Sequence, residues 1–514
     1  MYKRSFWTES YVQWSPQGNY MATVHRQGVA LWGGPSFTRF QKFSHNGVQF
    51  IEFSPCERYL ASGSTHDPAN ARDQATVVVN FFDTRTGAKM RAFQGPISEF
   101  TLGNMGLTWP VFKWAGKSPN GAFFARMVKD AVSVYQADAA DGEMPLVDKK
   151  SIKLPGVTDF CWSPADPILS VFQPEQGGGN QPARVALIEL PSKKEIRSKN
   201  LFSVSDVRMF WQQSGDYFAV KVDRHTKTKK STYSGFELFS VKEPNCPMEV
   251  LELPDKSQKI VAFAWEPKGH RFAVIHGDGA RPDVSFYTMK DKETGKAQVK
   301  HLGTIKNKTA NHLFWSPKGS VIVLAGLKTM NGQFEFFNVD EMETMASAEH
   351  FMATDVEWDP TGRYVTTAVT SVHQMENGFH VWTFNGKLLY KYVCDNKFYQ
   401  FLWRPRAPSL LSKEAEADIV KNLKKYSKRF DEIDESIRNQ QDSHLAAEKQ
   451  EVADAWNKYI SGKKAVVDSD EYKAKVRALM MVRYPNWKAE GGDDVTETEV
   501  EVEEIISVTE EPLQ

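Results

Sequence analysis

Few residues of this sequence stand in a pattern that could make or break a bond. Gly116-Lys117-Ser118 has the ending of a phosphate loop, in which backbone N–H groups and a lysine cradle a phosphate chain. The glycine such a loop needs five residues before Gly116 is Val111, and the triplet falls inside a hairpin turn, not between a strand and a helix. No Gly-x-Ser-x-Gly elbow presents a serine nucleophile. No His-Glu-x-x-His pair occurs, and the 12 histidines show no metal-ligand spacing. Cys56, Cys161, Cys246 and Cys394 lie far apart without a Cys-x-x-Cys pair, which reads as reduced thiols in a reducing compartment. The expectation is a protein without catalytic function, without a cofactor and without a bound metal.

Binding chemistry has more candidates. Arg224, Lys227, Lys229 and Lys230 form a basic loop between strands; it reads either as a solvated loop or as a phosphate contact on RNA. The run from Lys421 to Arg429, with Lys424, Lys425 and Lys428, carries the same two readings. Lysine plus arginine equals aspartate plus glutamate at 64 each, so any grip on nucleic acid must be a local patch. Trp456, Tyr459 and Ile460 fall on one face of a helical stretch, where large side chains anchor a partner or pack within their own domain. Tryptophans that recur before turns could stack bases. Their fixed place in a repeated unit argues instead for packing.

That repeated unit positions everything else. Trp315-Ser316-Pro317-Lys318-Gly319, followed by Val321-Ile322-Val323-Leu324-Ala325, reads as a strand, a tight turn and a second strand. Serine opens the turn, proline presets φ, and glycine closes it. Related aromatic anchors are Trp14, Phe53, Trp114, Trp162, Trp211, Trp265, Trp358 and Trp403, making nine in all, spaced 39 to 61 residues apart. After each turn come an apolar second strand, as in Phe218-Ala219-Val220, and a third, as in Phe334-Glu335-Phe336. A period of this length with several strands per unit predicts an all-β propeller, WD40-like, with four-stranded blades around a channel. The second strands are apolar on both faces and should lie between neighbouring blades. Alternation in the third strands predicts one packed and one wetter face.

The ninth unit is incomplete: Phe398-Tyr399-Gln400-Phe401-Leu402-Trp403 predicts an inner strand, and helix-forming sequence follows at once. The propeller is therefore expected over residues 1–408, with nine repeats and an incomplete ninth blade. A C-terminal α-helical extension, a partner-binding region, is expected over 409–488. Ser412 is placed to cap it, and Ile419, Leu423, Tyr426, Phe430, Ile433 and Ile437 make one apolar stripe. A second helix carries Leu445, Val452, Trp456, Tyr459 and Ile460, and a third runs from Ser469 to a limit at Pro485. From Gly491 to Gln514 there are nine acidic and no basic residues, so 489–514 is expected to be a disordered acidic tail. No run approaches the ~20 apolar residues of a membrane span, and no signal region opens the chain, so a cytoplasmic protein without membrane contact is expected.

Longer strings then resemble a known family. Leu31-Trp32-Gly33-Gly34, Phe53-Ser54-Pro55-Cys56-Glu57-Arg58-Tyr59-Leu60, Asp355-Val356-Glu357-Trp358-Asp359-Pro360-Thr361-Gly362-Arg363-Tyr364 and Leu423-Lys424-Lys425-Tyr426-Ser427-Lys428 are similar to the b subunit of eukaryotic translation initiation factor 3. The resemblance covers nearly the whole chain. It implies a nine-bladed propeller that works as a scaffold on the small ribosomal subunit, in assembly of the initiation complex and in mRNA recruitment or scanning. It implies that the helical extension docks the i and g subunits, while an upstream RNA-recognition motif binds a and j. No basic-Gly-aromatic-Gly-aromatic string occurs here, so that motif is missing and the chain reads as N-terminally truncated. Expected partners are the a, i and g subunits, the small ribosomal subunit and its rRNA or mRNA, with j set aside for want of the motif. An independent RNA-binding propeller outside that complex is the other reading.

Overall fold

The structure, a computed structural model, describes residues 6–483 apart from 35, 69, 71–72, 102–106, 117–121, 140–141, 178–180, 227–230, 254, 256–257, 278, 280, 292–294, 296, 371–376, 395 and 408. The chain divides into two compact units, Met1–Pro408 and Ser409–Gln514. The first is an eight-bladed β-propeller. Each blade is a four-stranded antiparallel sheet taken in simple chain order, and the eight cover residues 12–44, 50–96, 113–153, 159–201, 204–252, 260–305, 312–349 and 355–393.

The turns behave as their residues dictate. In blade 7 the Gly319 N–H donates to the Ser316 carbonyl at 2.9 Å, closing the turn between His312–Trp315 and Val321–Gly326. Blades 1, 5 and 8 repeat the bond through Gly18, Gly215 and Gly362. The second strands are buried on both faces, as in Phe272 through Ile275, all at 0% exposure. The third strands are drier than alternation implies: Gly28–Gly33 is buried throughout. The fourth strand takes the wet position instead, as in Lys194–Leu201, because it forms the outer rim while the third remains interior.

Blades are joined by a repeated hydrogen bond. The anchor tryptophan of one blade donates its indole N–H to the carbonyl of the residue just before the anchor of the preceding blade. Trp162 donates to Lys113 at 2.9 Å, Trp265 to Phe210 at 3.0 Å, Trp315 to Ala264 at 3.1 Å and Trp358 to Phe314 at 3.0 Å. Trp211 reaches the same kind of carbonyl through a relay: it donates to Ser170 Oγ, which donates to the Cys161 carbonyl. Around these bonds lie seven buried apolar clusters, one between each consecutive pair of blades.

Between blade 8 and blade 1 the arrangement changes. The ninth anchor, Trp403, lies in a segment that forms no strand, so the expected ninth inner strand is corrected to an extended, unladdered stretch. Prolines 405 and 408 follow it, and among the described residues no second strand pairs with it. The stretch is nevertheless wedged between the first and last blades. Gln400 bonds the Val12 backbone at both N–H and carbonyl, at 3.2 and 3.0 Å. Trp403 N–H donates to Glu357 Oε1 at 3.3 Å, and Phe401 packs on Phe379. Arg404 Nε donates to the Gly18 carbonyl at 2.8 Å while its guanidinium lies over Trp14 and Phe37. Gly18 cannot carry a side chain here: its φ is +74° and a Cβ would stand 2.0 Å from the Pro405 carbonyl oxygen. The rim strand of blade 8, Leu388–Val393, is exposed at every residue, unlike the other rim strands.

The indole bond has a measurable worth. Trp315→Phe keeps an aromatic ring but leaves the Ala264 carbonyl without its donor. It should lower stability by about 1–3 kcal/mol, read as a lower denaturation midpoint. The same change at Trp403, whose indole has no acceptor among the described residues, should cost less.

Candidate interaction surfaces

The second unit is built from three helices: α1 (Lys413–Lys421), α2 (Leu423–Asp468) and α3 (Asp470–Arg483). Ser412 caps α1 by accepting from the Ala415 N–H at 3.2 Å. The expected first helix breaks at Asn422: its start, with Ile419, is α1, and its remainder from Leu423 joins the expected second helix in one continuous helix of 46 residues, about 69 Å long at 1.5 Å per residue. No Pro or Gly interrupts residues 423–461, so nothing in the backbone stops it. Single helices of this kind gain most of their stability from covering an apolar face. Here that face is open. Trp456, Tyr459 and Ile460 are 61, 55 and 45% exposed. The rings of Trp456 and Tyr459 stack on each other at 5.9 Å, and the Lys463 ammonium sits over Tyr459 at 5.5 Å. Lys424 and Lys428 belong to the same helix, Lys424 on its surface; the side chain of Lys425 is outside the described set.

The basic loop is smaller than its sequence suggests. Arg224 belongs to the strand Tyr217–His225, not to the loop. Its Nη2 donates to Glu237 Oε1 at 2.6 Å, with the two side chains only 13 and 3% exposed. Lys199 approaches the other oxygen of Glu237 at 3.9 Å. A guanidinium committed to a buried carboxylate is not available to a phosphate. Lys227, Lys229 and Lys230 lie outside the described residues, as do Lys117 and Ser118 of the phosphate-loop-like triplet. Gly116 is backed against the Pro164 carbonyl, 2.0 Å from where a Cβ would sit.

Serine–histidine pairs do exist, but substrate cannot reach them. His45 bonds Ser62 and Ser64 at 2.6 and 2.8 Å, and His276 bonds Ser285 at 2.7 Å. All five residues are buried, so these pairs tie strands together. Burial holds the His45 imidazole down at about 4. His350 and His380 stack at 3.7 Å and are depressed to about 3 and about 4, chiefly by burial. Burial pushes the Cys246 thiol up to about 11. Among the described residues no group of three His, Cys, Asp or Glu is placed to hold a metal ion, and no helix is long and apolar enough to cross a membrane.

The residues just before the anchors form a set that sequence reasoning passed over. Two of them are carboxylic acids, Glu52 and Glu357. Burial raises both, Glu52 to about 7. An acid immediately before an aromatic anchor was the signal.

Residues 199–459 match the family model described as "Eukaryotic translation initiation factor eIF2A", which runs from blade 4 into α2. The chain is 52% identical to the B subunit of eukaryotic translation initiation factor 3 of Nicotiana tabacum, over 99% of its own length and 70% of the relative's. It is 53% identical to the protein of the same name from Arabidopsis thaliana, over 100% of this chain and 71% of that one. The chain belongs to the family of eukaryotic translation initiation factor 3 B subunits. A solved structure titled "Crystal structure of the eukaryotic initiation factor" aligns with a TM-score of 0.62 at 20% identity, covering 78% of this chain and 91% of that one. It bears on the propeller fold alone.

For this member of the factor 3 family the half-buried Glu52 gives a pH test. Glu52 binds its proton more tightly when folded than when unfolded, so its contribution is fully favourable below about 4.5 and is lost as pH rises through about 7. Glu52→Gln should raise stability at pH 8 by about 3 kcal/mol and leave it unchanged at pH 4. Thermal melts at the two pH values check it.

Proposed function

We propose that this chain is a non-catalytic scaffold subunit of the initiation factor 3 complex, supporting assembly of the small-subunit preinitiation complex and mRNA recruitment or scanning in the cytoplasm. The observation that carries the reading is the open aromatic face of α2. Trp456 and Tyr459 are stacked, exposed and backed by Ile460, which is the make-up of a binding hot spot rather than of a solvated helix. In this reading residues 409–488 are the partner-binding extension, with the i and g subunits on the Trp456 face, the a subunit elsewhere on the chain, and 489–514 the acidic tail. The propeller, residues 1–408, is the platform.

The proposal extends to the ring. In this reading the ring has nine repeats, with residues 398–404 in the position of an incomplete ninth. Gln400 and Trp403 hold the places that an inner strand would take between blade 1 and blade 8. The bare rim Leu388–Val393 is the surface such a blade would cover. Contact with rRNA or mRNA falls to Lys227, Lys229 and Lys230 in one patch and Lys424, Lys425 and Lys428 in another.

Affinity purification of the tagged full chain in gentle salt should bring down other factor 3 subunits and the small ribosomal subunit; recovery of neither defeats the reading. Trp456→Ala should weaken binding of the i subunit at least tenfold in calorimetric titrations, and unchanged binding would remove the assignment of that face. Neutralising Lys227, Lys229 and Lys230 together should flatten the log–log salt dependence of single-stranded RNA binding by up to about 2. An unchanged slope would clear that patch.

A further inference from the structure

The connection between blade 2 and blade 3 is unlike the others. Residues 97–112 join their sheets, whereas the remaining blades are joined by two to seven residues. The 61-residue gap between Phe53 and Trp114 is its mark in the sequence. Long connections inside a compact repeat array are commonly functional.

This one is anchored at both ends. Trp109 stacks on Phe50 at 5.5 Å and donates its indole N–H to the Ile51 carbonyl at 3.2 Å. Gly63 makes room for it: a Cβ there would stand 2.3 Å from the Trp109 ring. At the other end the Arg126 guanidinium lies over Phe100 at 4.2 Å and over Phe93 at 5.3 Å. Between these fixed points opens a cavity of about 800 Å³, within the size range of ligand pockets.

Its lining has two characters. Phe100, Val111, Met127 and Phe160 make an apolar wall. Lys113, Arg126 and Lys129 bring three cations, against Glu99 and Asp159. Lys113 is already committed, with Nζ at 3.1 Å from Asp159 Oδ1 and bonded to the Phe160 carbonyl. Arg126 is not. It donates to the Glu99 backbone carbonyl at 3.0 Å, and among the described residues no carboxylate lies within ion-pair distance of it. Burial depresses the Arg126 guanidinium, and the nearby charge of Glu99 offsets that only in part.

We infer that this cavity docks a short peptide segment of a partner protein, in which an acidic side chain meets Arg126 and an adjacent apolar side chain fills the wall. A planar guanidinium lying over two aromatic rings suits a carboxylate. An RNA strand is disfavoured on two counts: it would need a row of cations along its backbone, and a base edge would meet apolar carbons. The site belongs to the propeller alone and stands independently of the α2 surface proposed above.

The test is selection of a phage-displayed random peptide library on the immobilised full chain, followed by fluorescence anisotropy with the enriched peptides. The expected consensus is Asp or Glu beside a large apolar residue, with Kd weakened at least tenfold by Arg126→Gln and several-fold by Lys129→Glu. Lys129 is on an exposed turn, so its variant remains informative if Arg126→Gln fails to fold; Arg363→Gln should have no effect. Absence of enrichment, a consensus without acidic residues, or equal binding by both pocket variants would overturn the inference. So would Arg126-dependent binding of an oligouridine probe with no peptide binding.

Discussion

The propeller depends on one hydrogen bond used again and again. An indole is large enough to fill the space between two inner strands and carries a single N–H that must find an acceptor when buried. In this chain it finds the preceding blade's backbone, at the residue before the preceding anchor. The bond sets the stagger between neighbouring sheets, and the apolar clusters then fill the space on either side of it. Because each bond joins only consecutive blades, order in the ring follows order in the chain, as in other repeat arrays.

Three junctions depart from the pattern. Between blades 1 and 2 the anchor in the donor's place is a phenylalanine, Phe53, which has no N–H. Between blades 2 and 3, Trp114 has a buried indole N–H without an acceptor among the described residues, and Trp109 from the long connection supplies a donor nearby instead. The cavity walled by Phe100 and Arg126 opens between that long connection and blades 3 and 4. At the junction of blade 8 with blade 1, Trp403 also has no acceptor among the described residues, and a single extended segment stands where a sheet would. Unsatisfied indoles and bare apolar rims gather where the repeat is broken.

The repeat was legible because its signals are local. Trp315-Ser316-Pro317-Lys318-Gly319 encodes a strand end and a turn within five residues, and buried second strands such as Val321–Gly326 are apolar without interruption. The rim strands were harder: Lys194–Leu201 is polar on both faces and differs little from a loop in sequence. Arg224 was misplaced for a related reason. A charge near a basic run looks like surface, and only Glu237, 13 residues further along the chain and on the neighbouring strand, explains its burial. The extent of α2 was missed because its apolar residues shift face midway, although the absence of Pro and Gly from 423 to 461 already allowed one helix. The cavity at Arg126 needed tertiary structure, since its walls come from blades 3 and 4 and from the connection that precedes them.

The central claim is that this chain is a ring of stapled blades that holds other molecules through surfaces left uncovered, the Trp456 face first among them. A cryo-EM reconstruction of the assembled factor on the small ribosomal subunit would test it most directly. The account predicts consecutive four-stranded blades joined at Trp162, Trp265, Trp315 and Trp358, with Trp456 and Tyr459 covered by another protein chain. A map in which those hairpins sit in separate sheets, or in which the aromatic face of α2 meets only solvent, would contradict it.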